Sequence, residues 1–345
     1  MRDEWLHGLQ SRLLDRHGLA SRKATVKLIE IIRNINPDIV HLHNIHGYYL
    51  NYPILFAFLS QYNKPVVWTL HDCWPITGHC AYFTYAQCEK WKIDCNFCEH
   101  TYTYPRSYFA CRSKKNLAQK KESFCSLEKL TIVPVSMWLE DIIHKSYLAK
   151  YPVRMIYNGI DIEKFWPTED GIKQVGGKKI VLGVSSIWEK RKGLNDFFAL
   201  RQLLDDEYEI VIVGLSKSQK NSLPDGIIGV DRTNSLDELR NYYNQASVYV
   251  NSTYEDNFPT TNIEALSCGT PVITYNTGGS PEAIDEETGA VVECGNVAAL
   301  ADAIHCICKS PAIKQMRKAC RQRAVSFFDK RDRYQEYIDI YKQLL

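Results

Sequence analysis

No stretch of this 345-residue chain reaches about eighteen uncharged apolar positions, which excludes a membrane-spanning helix. Neither sign of charge dominates. Lys and Arg number 42 against 40 Asp and Glu, a formal net charge of +2, so there is no global basic field and no nucleic-acid partner is expected. Any anion must be held locally. An apolar h-region is missing from the charged opening Met1–Gly8, so a chain without a secretory signal, working in the cytoplasm, is expected. Internal repeats and low-complexity tracts are also lacking. Cysteine is plentiful, at 12 residues. In a chain this long without an export signal, such cysteines read as reduced thiols or metal ligands rather than a disulfide scaffold.

What is present is the profile of an ordinary globular protein, 45% apolar and 24% charged, too long for a single compact core. Short β-branched runs alternate with helical patterns. The strand expectations are Asp38–His43, Val66–Leu70, Leu130–Val135, Val153–Tyr157, Ile180–Val184, Glu209–Val213, Ser247–Asn251 and Thr270–Tyr275. Several are continuously apolar, as strands covered on both faces must be. Between them Ala24–Ile35 carries an apolar stripe of Val26, Leu28, Ile29, Ile31, Ile32 and Ile35. This alternation predicts an α/β chain with parallel doubly wound sheets and ligands at the carboxyl ends of the strands. The stretch Asn158–Gly177, with Asn-Gly, Pro167 and a Gly pair, breaks the rhythm. The expected organisation is a first domain over 1–158, a second over 159–328, and a terminal helix over 329–345 that packs back on the first.

The densest chemical signal runs from Val248 to Tyr275: strand, polar loop, helix, strand. The loop Asn257–Thr261 sets successive backbone N–H groups at the start of the helix that holds Asn262, where a phosphate is best bound. Asp256 and Glu264 bracket that loop. Glu264 is placed to accept from a ribose diol, Asp256 from sugar hydroxyls. Capped-helix carboxylates in solvent are the blander reading of each alone. A second signal, Val181–Phe197, ends a strand at Val184 and sets Lys190, Arg191, Lys192 and Gly193 before a helix, which suits a pyrophosphate. In isolation such a turn is usually just solvated. Gly278 and Gly279, after a strand, let backbone approach a ligand closely.

Taken together, these stretches resemble retaining glycosyltransferases of family 4. Asp256, Phe258, Glu264, Ala265, Gly269, Pro271 and Val272 match that family's donor signature, and Lys192-Gly193 matches its Lys-Gly. Asp256 stands where the family usually has Glu, with Glu255 beside it. Asn257 and Pro259 replace glycines, and Arg191 or Lys190 stands in for an absent arginine. Asn158–Asp161 and Phe165 resemble the family's hinge, and Val135-Ser136 its last first-domain strand. The resemblance implies a GT-B fold, two Rossmann-like domains facing a cleft. It implies transfer of a sugar from a UDP- or GDP-sugar to a saccharide or lipid-linked saccharide, with retention, in capsule or exopolysaccharide assembly. Lys192 and Arg191 would hold the diphosphate, and Phe258, Pro259, Thr260, Thr261, Asn262, Gly278 and Gly279 would complete the donor site. His71, just past the strand Val66–Leu70, would lie between donor sugar and acceptor. His43 and Asn44 are acceptor-side alternatives. No metal or cofactor is expected in the chemistry itself, since no Asp-x-Asp pair is placed as a clamp. The family's glycine-rich first loop has no counterpart here, so a missing amino-terminal segment is expected. Two rival readings are a sugar-nucleotide epimerase of the same fold and a non-catalytic nucleotide-sugar-binding remnant.

Two stretches lie outside that frame. Cys80, Cys88, Cys95 and Cys98 sit in an aperiodic, aromatic segment where only the last pair has ordinary zinc spacing. A structural zinc and reduced, partly buried thiols are the two readings. Between Arg106 and Lys121 six cations flank Tyr108 and Phe109. A solvated helix, or peripheral contact with an anionic membrane or lipid-linked pyrophosphate, would account for them.

Overall fold

The computed structural model describes residues 2–168 and 177–345. The stretch 169–176 of the expected junction lies outside the described residues. The chain divides into two compact units, Met1–Ile156 with Tyr337–Leu345, and Tyr157–Glu336.

The first unit holds α1 (Arg2–Leu14), α2 (Arg22–Ile35), β1 (Val40–Leu42), α3 (Tyr52–Tyr62), β2 (Val66–Leu70), α4 (Ser113–Phe124), β3 (Leu130–Pro134) and α5 (Met137–His144). Its sheet is parallel in the order β1-β2-β3, with Val66 beside both Val40 and Leu130. β2 and β3 are buried at every position, as their unbroken apolar runs require. The expected strand Val153–Tyr157 makes only one bridge, Ile132 to Val153. Its N–H groups at Arg154 and Ile156 still donate to Ile132 and Pro134 of β3. It therefore lies along the sheet edge without forming a regular strand. The apolar stripe of α2 is also less buried than its periodicity implies: Ile29 is covered, whereas Val26, Ile31 and Ile35 are exposed.

The second unit runs β4 (Lys179–Val184), α6 (Leu194–Leu203), β5 (Tyr208–Val213), α7 (Lys217–Asn221), β6 (Ile227–Val230), α8 (Leu236–Gln245), β7 (Val248–Asn251), α9 (Thr260–Ser267), β8 (Val272–Tyr275), β9 (Gly289–Val292), α10 (Val297–Lys309) and α11 (Ile313–Phe328). Six parallel strands lie in the order β6-β5-β4-β7-β8-β9. The sequence reading missed β6 and β9 because both are edge strands, short and half-exposed, without a continuous apolar run. Val181, Ile210, Ile212, Val248, Val250 and Ile273 form the central core with Phe197 and Leu200 of α6. α12 (Lys330–Leu344) is the last element. Its Ile340 packs with Val67, Val133 and Ile156, and Tyr337 and Tyr341 cover the same cluster. Tyr334 and Ile338 of the same helix are exposed.

Candidate functional site

The sheet of the second unit reverses its order between β4 and β7, so connections depart in opposite directions and leave a crevice beyond the carboxyl ends of those strands. A pocket lies there. Its walls include Val184 and Ser185 from the end of β4, Asn251 from the end of β7, and Lys192 and Asp256 from the loops beyond. The floor is the start of α9: Phe258, Pro259, Thr260 and Thr261 line it. Pro259 occupies the cap position of α9 and supplies no side-chain acceptor, so the Thr260 and Thr261 amides keep their donor capacity for a ligand, while that of Asn262 donates to the Pro259 carbonyl. Phe258 is buried, stacked on Tyr157 at 4.8 Å, and its carbonyl accepts from the Asn158 amide. That anchoring fixes the loop before the helix.

Lys192 arrives on a short 3-10 turn, Lys190–Lys192, that precedes α6. The turn closes through Gly193 in the left-handed region at φ 71°, where a Cβ would lie 2.1 Å from the Ser252 carbonyl oxygen. Only glycine lets the turn sit that close to the loop after β7. Lys192 Nζ donates to Asp256 Oδ2 at 2.5 Å, and both side chains are about one-fifth exposed. Two residues expected to meet different parts of one ligand are thus paired with each other. Arg191 donates to the Glu255 carbonyl at 3.1 Å and lies 3.4 Å from Glu189, so it braces the loop and is absent from the pocket lining.

Three further expected positions have partners within the protein. Asn262 is fully buried, donating to Ser280 and accepting from Asn251 at 2.8 Å. Its amide ties α9 to β7, which leaves it no reach into the pocket. Gly278 and Gly279 lie against backbone: the Gly279 N–H donates to the Asp256 carbonyl, and a Cβ on Gly278 would lie 1.8 Å from that oxygen. Glu264, one turn into α9, accepts from the Tyr243 hydroxyl at 2.9 Å. Burial pushes its carboxyl above the usual range, against the opposing hydrogen bonds of Tyr243 and Thr260. Neither glycine nor Glu264 lines this pocket. The sequence reading did not single out Ser185, Ser186, Trp188 and Asn251, which do. Their position just past the carboxyl ends of β4 and β7 was the available signal.

In the first unit His71 follows β2, and its Nε2 lies 3.1 Å from His43 Nδ1 with the rings stacked. Burial, reinforced by the neighbouring His43, lowers His71 to about 4. Asp72 pairs with His46 at 3.0 Å and accepts from the Trp74 N–H. Burial alone would raise that carboxyl, but the His46 contact, the Trp74 N–H and the nearby His71 together hold it below the ordinary range. Lys120, counted among the solvated cations of Arg106–Lys121, is instead fully buried. Its ammonium donates to the Trp74 and Thr77 carbonyls and lies 3.6 Å from the Trp74 ring centre. Burial lowers it to about 7. Cys80, Cys88, Cys95 and Cys98 line one cavity, although no group of three or more His, Cys, Asp or Glu among the described residues is arranged to hold a metal ion. No helix among the described residues is long and apolar enough to cross a membrane.

Comparison with known proteins agrees with this architecture. Residues 4–164 match the model described as Glycosyltransferase Family 4, and residues 178–310 the one described as Glycosyl transferases group 1. The colanic acid biosynthesis glycosyl transferase WcaC of Escherichia coli is 28% identical over 273 residues, 76% of this chain and 65% of the relative. The capsular polysaccharide biosynthesis glycosyltransferase CapM of Staphylococcus aureus is 25% identical over 219 residues, 58% of this chain and 57% of the relative. The chain therefore spans less than two thirds of the length of these curated relatives. Among solved structures, a sucrose-phosphate synthase from Thermosynechococcus elongatus superposes with TM-score 0.71 at 23% identity, covering 93% of this chain and 78% of its own. Anabaena HepE in complex with UDP superposes with TM-score 0.65 at 15% identity, covering 92% and 81%. The shared fold is GT-B, two parallel-sheet α/β domains.

Proposed function

We propose, for a chain built of the glycosyltransferase family 4 and group 1 domains, that it moves a sugar from a UDP- or GDP-sugar to a saccharide acceptor with retention at the anomeric carbon. The observation that carries this reading is the convergence of Lys192 and the uncapped start of α9 on one pocket at the switch point of the second sheet. An anion with two phosphates suits that pairing of an ammonium and helix amides. In the proposed reaction the bond between the anomeric carbon and the diphosphate oxygen breaks, and the nucleoside diphosphate leaves with the electron pair. The acceptor oxygen then bonds to that carbon on the same face and gives up its proton. Lys192 and the α9 amides stabilise the charge that develops on the leaving group, so the proposed chemistry requires no cofactor. Asp256 contacts the sugar, Glu264 the ribose, and His71, kept neutral by burial, donates to or accepts from a substrate hydroxyl. The acceptor proposed is a cell-surface glycan precursor, free or lipid-linked, in line with relatives named for colanic acid and capsule biosynthesis.

The test is calorimetry with uridine, UDP, GDP and a panel of their sugars, followed by transfer assays in which the anomeric configuration of the product is read by NMR. Loss of one charged hydrogen bond costs on the order of 1.5–3 kcal/mol, about ten- to a hundred-fold in affinity. Glu264→Gln should weaken the bare nucleoside by that factor. If no nucleoside diphosphate and no nucleotide sugar binds, the proposal fails.

A further inference from the structure

The segment between β2 and α4, residues 71–112, contains no strand and only the 3-10 turns Trp74–Ile76 and Lys90–Lys92. A loop of that length has few regular hydrogen bonds and needs ties of its own. One cavity inside it is lined by Cys80, Cys88, Cys95 and Cys98, with His79 and Trp91. All four cysteines are free thiols, and Cys80 and Cys95 are buried.

Three observations point to a ligand in this cavity. First, Cys95 and Cys98 have the two-residue spacing of a zinc knuckle. Second, backbone N–H groups already aim at both: Gly78 donates to Cys95 Sγ at 3.2 Å, and His100 donates to the sulfur of Cys98. Such bonds hold a ligand atom in place. Third, His79 is 2% exposed and held at Nδ1 by Asp15 at 2.6 Å, while its Nε2 has no hydrogen-bond partner among the described residues. An unsatisfied buried nitrogen costs about 1–3 kcal/mol, so the wall of this cavity is polar and incomplete.

We propose that the cavity binds one zinc ion through the thiolates of Cys80, Cys88, Cys95 and Cys98. Binding replaces four S–H bonds by four Zn–S bonds and releases four protons to solvent, leaving a centre with two net negative charges. The buried Lys120 amine, bonded to the Thr77 carbonyl three residues before Cys80, lies close by. The sulfurs do not stand in a finished coordination shell, so they draw inward on binding. Metal affinity then becomes order in the loop. That loop begins at His71 and Asp72 and contains Trp74, whose N–H holds the Asp72 carboxylate. A zinc clip would thus fix the floor beside the His46–Asp72 pair without taking part in the chemistry.

The experiment is elemental analysis of the full chain purified without added metal, with X-ray absorption at the zinc edge. About one zinc per chain and a shell of four sulfurs at roughly 2.3 Å are expected. Cys95→Ser should lose the metal, whereas Cys306→Ser, at an exposed thiol on α10 and outside the cavity lining, should keep it. Because Cys95→Ser risks misfolding, the wild-type chain should also be stripped by a chelator and titrated with cobalt, which should give intense thiolate-to-metal absorption. A metal-free chain with native near-ultraviolet dichroism and no cobalt signal would overturn the proposal. A shell containing nitrogen would overturn the four-sulfur assignment, and a mass about two daltons lower per cysteine pair would show disulfides instead.

Discussion

The ammonium of Lys192, on the turn before α6, donates to the carboxylate of Asp256, on the loop after β7, at 2.5 Å. The two lie 64 residues apart in sequence and share the wall of one pocket. A diphosphate entering that pocket meets a cation already neutralised, and must share or displace its partner. Lys192→Ala should weaken nucleoside diphosphate and nucleotide sugar alike, by roughly ten- to a hundred-fold. Asp256→Asn frees the cation, so nucleoside diphosphate should bind as well as before or up to about tenfold tighter while turnover falls. Calorimetry on both variants reads the pattern. A tenfold weakening of nucleoside diphosphate by Asp256→Asn would exclude this competition.

The His43–His71 contact sets a pH dependence. At 3.1 Å one ring nitrogen must donate and the other accept, so two protonated rings are incompatible with it. His7, His41 and His71 are each lowered from 6.5 to about 4, with burial as the leading cause. Between pH 6.5 and about 4 the unfolded chain takes up protons at these positions and the folded chain does not. Stability should therefore fall as pH drops through that window, and the loss should be complete below about 4. Urea unfolding at stepped pH gives the slope, and NMR titration of the imidazole protons gives the individual values. A His71 value of 6 or higher would contradict a neutral His71 in this contact.

Gly278 tests how firmly the loop of Asp256 is held from behind. Its φ of 54° disfavours any side chain, and an added Cβ would lie 1.8 Å from the Asp256 carbonyl oxygen. Gly278→Ala should lower stability by about 1–3 kcal/mol or more and displace Asp256, reducing turnover as well. Gly8→Ala serves as the contrast: nothing lies within 4 Å of its added Cβ, and as an α1 residue it should gain about 0.5–1 kcal/mol. Equal thermal shifts in the two variants would count against the close approach.

Much of this was legible in order along the chain. β2 is buried at every position and β4 at its four central ones, and a continuous apolar run announces a strand covered on both faces. The turn with three cations before a glycine and the polar loop before α9 were also readable, because helix starts and turns depend on neighbours a few residues away. Pairing across the fold was not. Sequence pattern marked Lys192 and Asp256 as two ligand contacts, Asn262 as a third, and Lys120 as a solvated cation. The sheet order β5-β4-β7-β8 brings Lys192 against Asp256, seats Asn262 between Asn251 and Ser280, and α4 carries Lys120 inward onto Trp74. Local sequence determines which side chains carry charge and where backbone donors are left over. Which of them meet each other depends on strands distant in sequence lying side by side, and burial then decides which charge persists.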